Sequence, residues 1–137
     1  MRTVLPLLVL LAASPALAAE PAAPKPPPYV DLYPFAAPIV QDGRLVNYVF
    51  VTIRLHGKAG ADPSVLKRLE PKLRDAMVRA AHRRSFAAVG DPTSVDTARV
   101  AAAALAEGRR IGDVFASAEV RKQTPQHRRV APSKPAA

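Results

Sequence analysis

The chain has 137 residues, no cysteine, no tryptophan and a formal charge of +9. Without cysteine it forms no disulfide, no thiolate metal site and no cysteine nucleophile. With 5% aromatic residues it lacks the stacking platform on which bases or sugars are bound.

The first 18 residues combine Arg2, an apolar run over residues 4–13 and the small-residue triplet Ala16-Leu17-Ala18, the arrangement of a cleavable signal peptide. The apolar stretch over residues 3–19 is also marginal for a membrane anchor, and both readings place residue 29 onward outside the cytoplasm, in a periplasmic location. Residues 19–28 form a spacer; its last nine residues, EPAAPKPPP, hold five prolines, which predicts an extended polyproline conformation. At about 3.1 Å per residue this segment reaches roughly 28 Å from an anchor.

Residues 29–35 (YVDLYPF) read as a short strand stopped by Pro34, and Asp42-Gly43 as a turn. Residues 45–56 carry the strongest strand pattern: Val49, Val51, Ile53 and Leu55 alternate with Tyr48, Phe50, Thr52, Arg54 and His56. Asp62-Pro63 marks a helix start, followed at helical spacing by Val65, Leu66, Leu69, Leu73, Met77 and Ala80. Pro71 falls inside that run, and the missing donor and the clash with the Lys67 carbonyl predict a kink or two abutting helices. After the Gly90-Asp91-Pro92 break, residues 95–106 form an alanine-rich helix expected to end at Gly108. Residues 111–122 alternate again, Val114, Ala116, Ala118 and Val120 against Phe115, Ser117, Glu119 and Arg121, which predicts a last strand. Residues 124–137, with three prolines, Arg128-Arg129 and Lys134, read as a disordered basic tail. The folded part, residues 29–123, is thus one small α+β domain: a short sheet of three to four strands with two or three helices on one face.

Three blocks in order resemble the FliL family of flagellar basal-body-associated proteins: residues 29–35 (YVDLYPF), residues 48–55 (YVFVTIRL) and residues 71–78 (PKLRDAMV). Residues 120–123 (VRKQ) correspond to that family's closing strand ending in glutamine. The resemblance implies a periplasmic domain of stomatin-like α+β fold. It further implies a non-enzymatic role, self-association into a homo-oligomer, and contact with flagellar stator or basal-body proteins.

Chemistry-bearing residues are sparse. His82, Ser85 and Asp91 lack the oxyanion hole and the strained Gly-x-Ser-x-Gly turn of a hydrolase, and His56, His82 and His127 have no metal-ligand spacing. No catalytic residue, metal or cofactor is expected, and His56 reads as the cap of an edge strand. Two surfaces remain. The face bearing Tyr48, Phe50 and Arg54 sets aromatics beside a cation, as in interface anchors; covering by the chain's own N-terminal strand is the competing explanation. The helix cations Lys67, Arg68, Lys72, Arg74, Arg79, Arg83 and Arg84 are offset by Glu70 and Asp75, with a Glu70–Arg74 ion pair expected at i,i+4. Arg83 and Arg84 stand out because they lie where the helical pattern ends. With a charge of +8 once Arg2 is removed, an alternative function is a secreted basic module binding an anionic envelope component, such as an anionic membrane surface. Nucleic acid is not an expected partner.

Overall fold

The computed structural model describes residues 23–126. Eight elements follow in order: β1 (Tyr29–Asp31), β2 (Phe35–Gln41), β3 (Arg44–Gly57), α1 (Pro63–Arg83), β4 (Ala87–Ala88), β5 (Asp91–Val95), α2 (Thr97–Ile111) and β6 (Phe115–Gln126). The fold is α+β. A four-stranded antiparallel sheet carries both helices on one face, and β4 and β5 form a second, very small sheet. No helix among the described residues is long and apolar enough to cross a membrane. The leader expected over residues 1–18 lies outside the described residues.

β3 is the central strand, with β1 and β2 end to end along one edge and β6 along the other. His56 therefore sits mid-sheet, between Tyr29 and Ser117, and not at an edge. The Asp42-Gly43 turn places both residues at positive φ, 49° and 72°, the backbone a two-residue hairpin needs to match the twist of its strands. That hairpin makes residues 35–41 a strand, which the sequence reading had stopped at Pro34.

One face of β3 points to the helices: Val49, Val51, Ile53 and Leu55 are fully buried, with Phe35, Ala37 and Ile39 beside them from β2. α1 starts where Asp62 accepts a hydrogen bond from the Ser64 N–H at 2.8 Å, satisfying one of the helix's orphan donors. It then runs unbroken to Arg83 through Pro71, so the expected kink or split does not form. Pro71 is exposed, which leaves the freed Lys67 carbonyl open to water. The stripe of Leu66, Leu73, Met77 and Ala80 is fully buried. Each large apolar member contributes about 1.5–3 kcal/mol, which together outweighs the roughly 3 kcal/mol a helix-interior proline costs.

α2 is capped by Asp96, whose carboxylate accepts from the Arg99 N–H at 3.0 Å. It ends at Ile111, not at Gly108, with the Gly112 N–H donating to the Gly108 carbonyl at 2.9 Å. Gly108 has another task. A Cβ there would meet Phe115 at 3.0 Å and Leu55 at 3.2 Å, so the missing side chain lets α2 lie against the sheet. Both neighbours are fully buried and have nowhere to retreat. Gly108→Ala, which would gain about 1 kcal/mol in a free helix, is expected instead to lose about 1–2 kcal/mol through overpacking; urea unfolding followed by circular dichroism measures the sign. A gain would show the contact to be slack.

The phase of β6 differs from the sequence pattern. Phe115 is fully buried, whereas Ala116 and Ser117 are exposed and Ala118 and Val120 pack on the core. The cause is a register shift between His56 and Gly57, where Phe115 pairs with Gly57 but Ser117 with His56. The extra residue flips the side-chain order at the start of the strand. β6 also continues to Gln126, three residues into the segment read as tail; the rest of that segment lies outside the described residues. Gln123 closes the domain by accepting the Val95 N–H on its side-chain oxygen at 2.9 Å.

Candidate interaction face

The side of the sheet turned away from the helices is built by the other half of each alternation. From β3 it takes Tyr48, Phe50, Thr52, Arg54 and His56. Their cross-strand partners are Pro38, Ala36, Asp31 and Tyr29 on one edge and Gln126, Thr124, Lys122, Glu119 and Ser117 on the other. The chain's N-terminal strands pair edge to edge with β3. They widen this face instead of covering it; of the segment before β1, residues 25–28 lie at one end, lining a groove with His56 and Ser117.

The face divides into two ends. One is polar and internally satisfied. The Arg54 guanidinium donates two hydrogen bonds to Asp31, both 2.7 Å, and stacks 3.8 Å from the centre of the Tyr29 ring. His56 lies 3.3 Å from Glu119, which also holds Arg121 at 3.5 Å. The paired guanidinium holds the Asp31 carboxyl below the usual carboxylate range, against a smaller opposing effect of burial. Arg54 was expected to be an open cation beside the aromatics; it is already engaged.

That pair carries a pH dependence. A depressed carboxylate contributes stability above its unfolded pKa, about 3.9, and loses it as pH falls through the lower folded value. Asp31→Asn is therefore expected to lower stability by about 0.5 kcal/mol near neutrality, the pair being solvent-screened. The gap between variant and parent melting curves should close below about pH 4. A gap that persists undiminished in acid would rule out the ion pair as its source.

The other end is apolar and exposed. Phe50 retains 40% of its surface, Leu45 40% and Val40 46%, and Tyr48 is half-buried beside them. Leu45, Val46, Asn47, Tyr48 and Gln126 line a shallow cleft of about 300 Å³ at the end of β3. Val40 and Leu45, cross-strand partners next to the hairpin turn, were missed by sequence reasoning. The signal was present: Asp-Gly flanked by Ile39-Val40 and Leu45-Val46 is a hairpin pattern.

Both sheet edges are poor templates for a further strand. β2 carries Pro38 and is severed from β1 at Pro34; β6 carries two irregularities, Lys122 and Pro125. Charges, prolines and bulges are what blunt an edge. The face, and not the edge, is what this sheet offers.

The remaining candidates fall elsewhere. Arg83 and Arg84 end α1 on the helical layer, across the sheet from Tyr48, Phe50 and Arg54. Arg83 lies 3.8 Å from Glu107, and the Arg84 N–H caps the helix by donating to the Ala80 carbonyl at 3.0 Å. The five residues do not form one site. Glu107, unremarked in the sequence, is the buried charged residue of the described chain; it lies beside Arg110 of its own helix at 3.6 Å, and its contact with Arg83 links α2 to α1. The expected Glu70–Arg74 pair is absent, because Glu70 accepts the Tyr33 N–H at 2.9 Å, a donor freed where β1 breaks from β2. Arg74 sits instead over the Tyr33 ring at 5.7 Å.

No hydrogen bond links His82, Ser85 and Asp91. The Ser85 hydroxyl accepts from the Ala87 N–H at 3.2 Å, and Asp91 accepts from Thr93 and Ser94 at 2.6–2.8 Å. No three His, Cys, Asp or Glu side chains among the described residues converge as metal ligands. His127 lies outside the described residues. No protein-family model, curated protein or solved structure matches the chain.

Proposed function

We propose that this chain is a non-enzymatic periplasmic protein of the FliL type, which associates with its own copies and with stator or other basal-body proteins of the flagellar motor through the open face of its sheet. The observation that carries the reading is the uncovered apolar end of that face. Phe50, Leu45 and Val40 are exposed and Tyr48 half-buried, next to a polar end where Arg54 is paired with Asp31 and His56 lies beside Glu119. Exposed aromatic and aliphatic side chains grouped on a rigid sheet are the material of interface anchors. The polar surround supplies the rim that excludes water without demanding new ion pairs.

The order of the three sequence blocks supports the same reading: YVDLYPF crosses from β1 into β2, YVFVTIRL lies in β3, and PKLRDAMV lies in α1. The closing Gln123 has a structural task in its tie to Val95. Deleting the gene in its host is expected to impair swimming or swarming under viscous load, restored by the parent gene supplied in trans. Unimpaired motility under load would remove the motor role.

A further inference from the structure

On the opposite side of the molecule, we infer that the outward face of α1 binds an anionic lipid bilayer through Lys67, Arg68, Lys72 and Arg74. These four exposed side chains fall within about two turns of one helix face. No carboxylate of the described residues lies within ion-pair distance of any of them. The acids that could neutralise the row are diverted. Glu70 turns to the Tyr33 N–H, Asp75 pairs with Arg79, and Asp62 caps the helix through Ser64. The cationic surface is thus a product of tertiary structure and not of composition alone.

Its shape selects the occupant. The four cations stand side by side on a convex helix, and none lines the cleft at Leu45–Tyr48, so their charges do not converge on a point as a small anion requires. The one aromatic beside them, Tyr33, is 70% exposed and lies under the Arg74 guanidinium at 5.7 Å, a single ring and not the grouped anchors that seat a protein partner. A diffuse negative surface fits both conditions. Each Lys or Arg near such a surface is worth about fivefold in affinity at physiological salt. Because α1 lies on the covered side of the sheet, a domain docked this way presents its Tyr48–Phe50 face away from the bilayer. This inference does not depend on the function proposed above.

The test is co-sedimentation of the full chain with vesicles of phosphatidylcholine alone and of phosphatidylcholine with an equal part of phosphatidylglycerol. The first 19 residues are common to every variant, so the preference for the anionic vesicle isolates head-group charge. That preference is expected to fall steeply as salt rises. The triple variant Lys67→Gln/Arg68→Gln/Lys72→Gln is expected to lower it on the order of 100-fold. Glutamine keeps helix propensity, and circular dichroism confirms that the variant folds. Arg128→Gln/Arg129→Gln/Lys134→Gln is expected to leave most of the preference in place. Equal binding to both vesicles, an unaffected helix variant, or an equal loss from the tail variant would each overturn the inference.

Discussion

Phe115→Ala is expected to cost about 4 kcal/mol and to leave the domain close to unfolding at physiological temperature. The ring is fully buried at the start of β6, paired across to Gly57 and pressed on the Gly108 backbone of α2. It is the wedge between helix and sheet. Truncation removes its transfer free energy and leaves a cavity whose rigid walls, Leu55 and α2, collapse poorly; buried Phe→Ala changes cost about 3–5 kcal/mol for this reason. A domain of this size has about 5–15 kcal/mol in all, and each kcal/mol lowers the midpoint by roughly 4–8 °C. Thermal and urea unfolding of the two proteins measure the effect. A loss under about 1.5 kcal/mol would mean that the layers close without the ring.

Phe50→Ser, in the same sheet, should do the opposite. Its ring retains 40% exposure and faces away from the helices, so the change in stability is expected to stay within about 1 kcal/mol. If the open face is the contact surface, self-association should weaken about 30-fold or more, the effect of removing a central aromatic anchor. Sedimentation equilibrium of parent and variant reads this directly, and the variant gene should fail to restore motility in the deleted host. A folded variant that associates as well as the parent would move the contact elsewhere. Two phenylalanines thus separate the demands of the fold from those of the partner.

Much of the local structure was legible from spacing. The period of two over residues 45–56 located β3 and both of its faces. Asp62-Pro63 located the start of α1, because a carboxylate cap and a residue without an N–H suit the first turn wherever the helix later packs. The Asp42-Gly43 turn was legible too, although its consequence, that residues 36–41 must return as a strand, was masked by Pro34 and Pro38.

What went unread depends on distant neighbours. Pro71 is tolerated because the sheet holds both halves of α1, a stabilisation that no helix-local rule contains. Glu70 abandons its i,i+4 partner for a backbone donor 37 residues away, and such a donor exists only once β1 and β2 have separated. Phe115 enters the core because β6 bulges against β3 between Phe115 and Ser117, which inverts the side-chain order at the start of the strand while Ala118 and Val120 keep theirs. The pairing of Arg54 with Asp31 and the exposure of Phe50 likewise required β1 and β2 to lie beside β3 and not over it.

The sequence by itself determined the absence of thiol chemistry, the basic excess, and where the long strand and first helix begin. These follow from covalent composition and from side-chain periods that act over a few residues. Only the tertiary structure decided that the second face of β3 is left open by the N-terminal strands, which cations keep no carboxylate partner, and that Tyr48 and Phe50 share a surface with Val40 and Leu45 but not with Arg83 and Arg84. Those outcomes depend on how layers meet, and contacts between residues far apart in the chain are set by packing and by the competition for buried donors, which local pattern does not record.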